Sequence, residues 1–337
     1  MGTKERLRLT LRTVCFTLLL AAAAFRLISE LASGGALNLQ RAALFVGLGI
    51  TETTAASADR PAQPAAENPK IAWMAYAMPV RTEYLHFSAE NVSIRNGPDA
   101  AIDIEQMLRE PIRFDLEADG PLVLIVHTHA SEAYTQADGD SYTAQGAYRT
   151  ADTNYNVVRV GQALADRLNE LGISTVHDTE LYDAEGYYDA YDRAAEGVGV
   201  YLAKYPSIQM VIDVHRDAVE DSAGNQLAVR TTINGESAAR LLLVMGSDLA
   251  GLYHPNWREN LAFAVKLQAL CEQDSPGIFR ELSLRSQRYN EYLTPHSILL
   301  EVGTAGNTLR EAIRSAEYFA DELAKLLHSA NVENRAD

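Results

Sequence analysis

Residues 122–134 read LVLIVHTHASEAY: five aliphatic residues, then two histidines, a serine and a glutamate within six positions. An unbroken apolar run of that length is the signature of a strand buried on both faces. Downstream, the pattern alternates. VVRVGQALADRLNELG (157–172) carries apolar residues at helical spacing and stops at a glycine, and ISTVH (173–177) returns to strand character. A helix is expected over 188–205, ending before Pro206, then a buried strand MVIDV (210–214) and another, LLLVMG (241–246). An amphipathic helix over 256–273, a strand SILLEVG (297–303) and a long helix over 308–329 complete the series. Strands alternating with helices define an α/β fold with a mainly parallel sheet flanked by helices, whose ligands gather at the carboxyl ends of the strands.

Three of these strands run into polar groups: the first into His127 to Glu132, MVIDV into His215-Arg216-Asp217, and SILL into Glu301. Taken singly, a histidine after a strand is ordinarily a hydrogen-bonded structural residue. Their convergence on one edge changes the reading, because two histidines and a glutamate make a three-ligand zinc set with a position left open for water. The strong zinc signatures HExxH and CxxC are absent. His127 and His129 lie two apart, so in an extended segment they share a face, and either is a candidate ligand. Glu132 can swing back toward the same centre, and His215 is the distant ligand, with Asp213 or Asp217 to orient it. Glu301 lies among Leu299, Leu300 and Val302, where desolvation would raise its pKa toward that of a general base; its bland alternative is an ion pair with an arginine. Ser131 has no GxSxG elbow around it, which speaks against a serine hydrolase. Tyr187, Tyr188, Tyr191 and Tyr201 recur near one expected helix and fit either packing or the binding of sugar rings.

The net charge of −16 argues against nucleic acid as a partner, since phosphate binding needs clustered Lys and Arg. Cys15 and Cys271 are the only cysteines, and the first lies in an apolar segment, so a disulfide between them is not expected. Lys4, Arg6, Arg8 and Arg12 precede VCFTLLLAAAAF (14–25). This is shorter than the about 20 residues of a full span, yet a basic flank before an apolar run reads as a signal anchor, with a cleaved signal or a buried helix as alternatives. The expected organisation is a basic flank and anchor over 1–32, a linker over 33–70, a small lead-in over 71–118 and a catalytic domain over 119–330. The positive-inside rule then puts that domain outside the cytoplasm of a single-pass membrane protein.

The blocks HTHASEAY (127–134), RTADTNYNVVRVG (149–161), YLAKYPSIQMVIDVHRDA (201–218), HPNWRENLAFAVKLQ (254–268) and RYNEYLTPHSILLEVGTAGNTLREAIRSAE (288–317) resemble, in order, the stage II sporulation protein P family of cell-wall hydrolases. The resemblance implies a fold like that of the zinc-dependent N-acetylmuramoyl-L-alanine amidases. It implies Zn2+ held by His129, with His127 its close competitor, by His215 and by a glutamate, and Glu301 as the catalytic carboxylate. In those amidases the glutamate ligand opens the helix after the first strand. Residues 152–156 hold none here, which leaves Glu132. HDTELYD (177–183) lacks a second His-Asp and reads as non-catalytic. The implied substrate is the amide between N-acetylmuramic acid and L-alanine, with peptide crosslinks as a further target. Glu301 would take a proton from the attacking water and return it to the departing nitrogen, and Arg216 or Arg288 would bind a stem-peptide carboxylate or else serve in structural ion pairs. Implied partners are peptidoglycan, a stage II sporulation protein D-like lytic transglycosylase and other engulfment membrane proteins. A zinc carboxypeptidase or endopeptidase, or a non-catalytic peptidoglycan binder, would share much of this pattern.

Overall fold

Leu122 and the strand behind it, β2 (Val123–Val126), are buried to the last residue, as the aliphatic run requires. The computed structural model describes residues 85–137 and 139–336, with side chains through Ala330. The anchor and linker expected over 1–70 lie outside the described residues. Among the described residues no helix is long and apolar enough to cross a membrane.

The strands are β1 (Ile94–Asn96), β2, β3 (Thr175–His177), β4 (Met210–Asp217), β5 (Arg230–Ile233), β6 (Glu236–Ala239), β7 (Leu241–Met245), β8 (Leu282–Leu284) and β9 (Ile298–Thr304). The helices are α1 (Ile104–Arg109), α2 (Val157–Glu170), α3 (Ala190–Lys204), α4 (Trp257–Asp274) and α5 (Leu309–Ala336). Seven strands form one sheet in the order β1-β8-β7-β9-β4-β2-β3, and β5 and β6 make a separate hairpin. Every neighbouring pair in the sheet is parallel except β7 and β9, so two parallel blocks of opposite direction meet at that seam. The mainly parallel sheet flanked by helices is thus present, with a reversal that the strand pattern did not announce. Residues 85–118 contribute β1 to the sheet edge, against β8, and α1, which packs on α4.

Side chains alternate cleanly between two faces. Val123 and Ile125, Ile212 and Val214, Ile298, Leu300 and Val302, and Leu241 and Leu243 join the main core with α2, α4 and α5. The other face carries Leu124, Val126 and Val211 under Val198 of α3, and beyond them Leu242, Val244 and Leu299 under Tyr289. Local signals set the helix ends. Asn156 caps α2 by accepting the Val158 N–H at 3.0 Å, and Gly172, at φ 81°, closes it in the left-handed conformation that glycine adopts without strain.

On the inner side of α2, Gly161 comes so close to the sheet that a Cβ there would lie 2.5 Å from the His127 ring and 2.9 Å from His177. Gly161→Ala should therefore cost about 1–3 kcal/mol by overpacking. Gly199→Ala, in the exposed part of α3 with no neighbour within 4 Å, should stabilise by about 0.5–1 kcal/mol instead. Thermal denaturation of both variants checks this; an unchanged Tm for Gly161→Ala would refute the close packing.

Candidate metal centre

β2 ends at Val126 and the chain turns at once, the Glu132 N–H donating to the His129 carbonyl at 3.0 Å. That turn cancels the two-residue alternation, so His127 and His129 part company. His127 goes beneath α2, against Gly161, with both ring nitrogens engaged: Nδ1 is 2.9 Å from the Val214 carbonyl and Nε2 is 2.8 Å from His177 Nε2. Burial lowers its pKa to about 4, so the ring is neutral, and a neutral ring facing a carbonyl donates to it through Nδ1–H. His127 is outside the ligand group; the reading that it shares a face with His129 fails because the strand stops one residue before it.

His129, Glu132 and His215 each bring one ligand atom into a buried group in which all three atoms lie within 4.8 Å of one another. Glu132 spans the two rings, its Oε1 3.7 Å from His129 Nδ1 and its Oε2 3.3 Å from His215 Nδ1. Its backbone is tied beside the start of α2, where the Val157 N–H donates to the Glu132 carbonyl at 2.8 Å. Arg149 Nη2 at 3.3 Å and the Arg216 N–H at 3.1 Å hold its carboxylate. Glu132 thus reaches the helix start from the preceding turn, where residues 152–156 offer no glutamate. His215 projects from β4, its Nε2 2.9 Å from Asp213 Oδ1 at ion-pair distance but without the alignment of a hydrogen bond. Asp213 is itself fixed by the Thr128 N–H at 2.8 Å and hydroxyl at 2.6 Å, whereas Asp217 accepts from Arg280 at 2.5 Å. Asp213, not Asp217, orients His215.

Glu301 is His215's direct neighbour across the β4–β9 pairing and faces Leu242 on its other side. It occupies the middle of β9, not its end, because the strand continues to Thr304. The residue is half-buried, yet its Oε2 is closed off from solvent and has no hydrogen-bond partner. Burial pushes its pKa up, against the pull of His215. In Glu132 burial pushes the same way but loses to the hydrogen bond and charge of His215, and the net shift is downward. In His215 burial pulls the pKa down but is outweighed by Asp213 and Glu132 acting together, so the net shift is upward, and His129 is lowered to about 4 by burial and then by His215. His129 therefore offers a neutral lone pair.

These residues suit a divalent cation. Nε2 of His129 is buried without a partner, as is Glu301 Oε2, in a chain where buried polar atoms ordinarily find one. Glu132 and Asp213, both with lowered pKa values, bring negative charge to the two imidazoles, a setting that favours a bound cation. Two nitrogens and one oxygen are the donors zinc takes at sites that keep a position open.

Residues outside the ligand set shape the surroundings. Tyr187 stacks on His129 at 4.0 Å, Tyr191 meets the same ring edge-on at 5.4 Å, and Tyr289 lies 5.7 Å from Tyr191. Tyr201 instead packs with Leu124 and Val126, so the tyrosines divide between site and core. The Ser131 hydroxyl donates to Asp183, which also accepts from the Ser131 N–H at 3.1 Å and from Arg149 at 3.0 Å. That engagement removes Ser131 as a nucleophile and makes Asp183 a brace for the ligand-bearing turn. Arg216 donates to the Ala133 and Tyr148 carbonyls, and Arg288 lies over the Tyr292 ring at 3.8 Å and donates to the Tyr253 carbonyl at 3.2 Å. A separate cavity of about 560 Å³, lined by Thr232, Asp274 and Glu322, contains none of the ligand set.

Fold and site together define an α/β protein with a buried two-histidine, one-glutamate group that could hold a metal ion, beside a desolvated carboxylate. Residues 55–324 match the family model of stage II sporulation protein P, and the chain belongs to that family. Stage II sporulation protein P of Bacillus subtilis (strain 168) is 29% identical over 230 residues, which cover 65% of this chain and 54% of that protein. The chain thus spans about half the length of that curated relative. Among solved structures, the N-acetylmuramyl-L-alanine amidase Ami1 of Mycobacterium abscessus aligns at TM-score 0.37 and 16% identity, covering 63% of this chain and 99% of that one. Ami1 of Mycobacterium smegmatis aligns at TM-score 0.38 and 14% identity, covering 64% and 98%. Overlaps this loose add nothing to the reading of the site.

Zinc content separates the two histidines of the turn. His215→Ala and His129→Ala should lose stoichiometric zinc in elemental analysis of the purified protein, while His127→Ala should keep it and lose only thermal stability; zinc loss on His127→Ala would restore His127 as a ligand.

Proposed function

We propose that the chain is a zinc-dependent peptidoglycan hydrolase that cuts the amide between N-acetylmuramic acid and the L-alanine of the stem peptide. The observation that carries this reading is the register of β4 against β9, which pairs His215 of the ligand group with the desolvated Glu301. A binder has no use for an unpartnered carboxylate there. His129, Glu132 and His215 would hold zinc, which when bound supplies Lewis-acid polarisation and a lowered pKa for water.

The protein's own residues do the rest. Glu301, its pKa raised by burial, is matched to taking a proton from the attacking water near neutral pH and giving it to the departing nitrogen, without which the amide re-forms. Asp213 holds His215 in place, and Arg149 with Asp183 fixes the turn that carries His129 and Glu132. Tyr187 and Tyr191 shield the His129 ring and exclude water from it. Membership in the stage II sporulation protein P family supports a role in remodelling the septal wall during spore engulfment. The basic and apolar N-terminus supports anchoring of an extracytoplasmic domain in the membrane. The family resemblance supports a partnership with a stage II sporulation protein D-like lytic transglycosylase acting on the same wall.

Glu301→Gln should keep zinc and the fold yet lose hydrolysis by about 10²–10⁴-fold, the range of a general acid–base group. Mass spectrometry of fragments released from purified peptidoglycan tests the bond: free stem peptides indicate the amidase, shortened peptides a peptidase, and no release a binder. Normal turnover by the glutamine variant would exclude Glu301 as the base.

A further inference from the structure

We propose that Arg285 is a specificity-determining residue of this site that receives a carboxylate of the stem peptide, an inference that rests on the hydrolase reading above. Arg285 directly follows β8, and its N–H donates to the Met245 carbonyl at 2.8 Å, fixing its backbone to the end of β7. Its Nε lies 3.1 Å from the Ser283 hydroxyl. Ser283 pairs with Val244, which shares with Leu242 and Leu299 the sheet face that Tyr289 covers and on which Glu301 lies.

Tyr289 links the arginine to the centre. It interacts with the Arg285 guanidinium and also feels the charge of Glu301, and its ring is 5.7 Å from Tyr191, which stacks over His215 at 6.5 Å. A continuous line of contacts therefore runs from the ligand set through two tyrosines to Arg285.

No carboxylate occupies the guanidinium. Other arginines are already paired with acids: Arg280 on Asp217 at 2.5 Å, Arg95 on Glu281 at 3.1 Å, Arg149 on Asp183 at 3.0 Å. No acidic side chain among the described residues pairs with Arg285; with Nε directed at Ser283 and Tyr289 also engaging the guanidinium, N–H donors remain that can meet a carboxylate. Charge makes the match selective. The chain carries −16 overall, so an anionic peptide is repelled unless a local cation receives it. A stem peptide begins at the scissile amide, and its first carboxylate follows within a few residues, on the side of the amide nitrogen.

The test uses wild type, Arg285→Ala and Arg285→Lys with paired synthetic muramoyl-peptides whose stem carboxylate is free or amidated. Wild type should favour the free acid. In Arg285→Ala the ratio of kcat/KM for acid over amide should fall by about 10-fold to 100-fold, as loss of a charge-assisted bond gives, with the change in KM. Arg285→Lys, keeping charge without the guanidinium, should fall between. Zinc content and Tm of each variant report folding independently. A ratio unmoved in both variants overturns the proposal alone; a wild type that cuts neither substrate overturns the hydrolase reading and the proposal with it.

Discussion

The pairing of β9 with β4 on one side and β7 on the other is the constraint on which the rest depends. β9 exposes its residues alternately to a core of Ile298, Leu300 and Val302 and to the face that bears Leu299 and Glu301. A slip of one residue would drive Glu301 into the apolar core, where an ionised carboxylate costs several kcal/mol or more, so the register is strongly specified. Interactions at the end of β9 reinforce it. The Tyr134 hydroxyl donates to the Val302 carbonyl at 3.0 Å, and Gly303 takes φ 72° where a Cβ would fall 2.7 Å from Ala239. The position of one carboxylate is thereby set by the packing of a whole sheet.

The ligand-bearing turn is held from two sides. His127, locked between the Val214 carbonyl and His177, pins its beginning to the core beneath α2. Asp183 and Arg149 grip Ser131 and Glu132 from the opposite side. Between these anchors sit Glu132 and His129, and Nε2 of His129 has no partner within the protein. Unsatisfied groups in so braced a setting are what a binding site leaves over when every neighbour is already committed.

Much of this was legible in the sequence, and the failures have identifiable causes. β2, β4, β7, β9 and the helices α2 to α5 are long or strongly periodic, and their patterns survive folding. β1 and β8 are three residues each, too short for any period to register. The direction of β7 left no trace because a fully buried run such as LLLVM looks the same parallel or antiparallel. The β5–β6 hairpin did carry a signal, Asn234-Gly235, both at positive φ as a primed turn requires, but its strands are too polar to draw notice. In the site, residue type and placement named His127, His129, Glu132, His215 and Glu301 as the candidates. The choice between His127 and His129 did not follow from them, since it turns on where β2 stops. Asp183 acts on Ser131 from 52 positions away, and no local pattern reports such a contact.

The distribution of these groups over the fold has a physical logic. His215 and Glu301 stand on central strands with hydrogen-bonded neighbours on both sides. Tyr187, Tyr289 and Arg285 stand on the connections around them. Proton transfer tolerates little error in distance, whereas recognition of a long, flexible wall polymer needs surfaces that adjust. On the proposed function, an acid–base group on the sheet and contacts for glycan and peptide on loops would separate these demands. It also explains the position of Glu301 in mid-strand: a carboxylate at a frayed strand end would gain solvent, lose its raised pKa and with it the match to neutral pH that proton transfer requires.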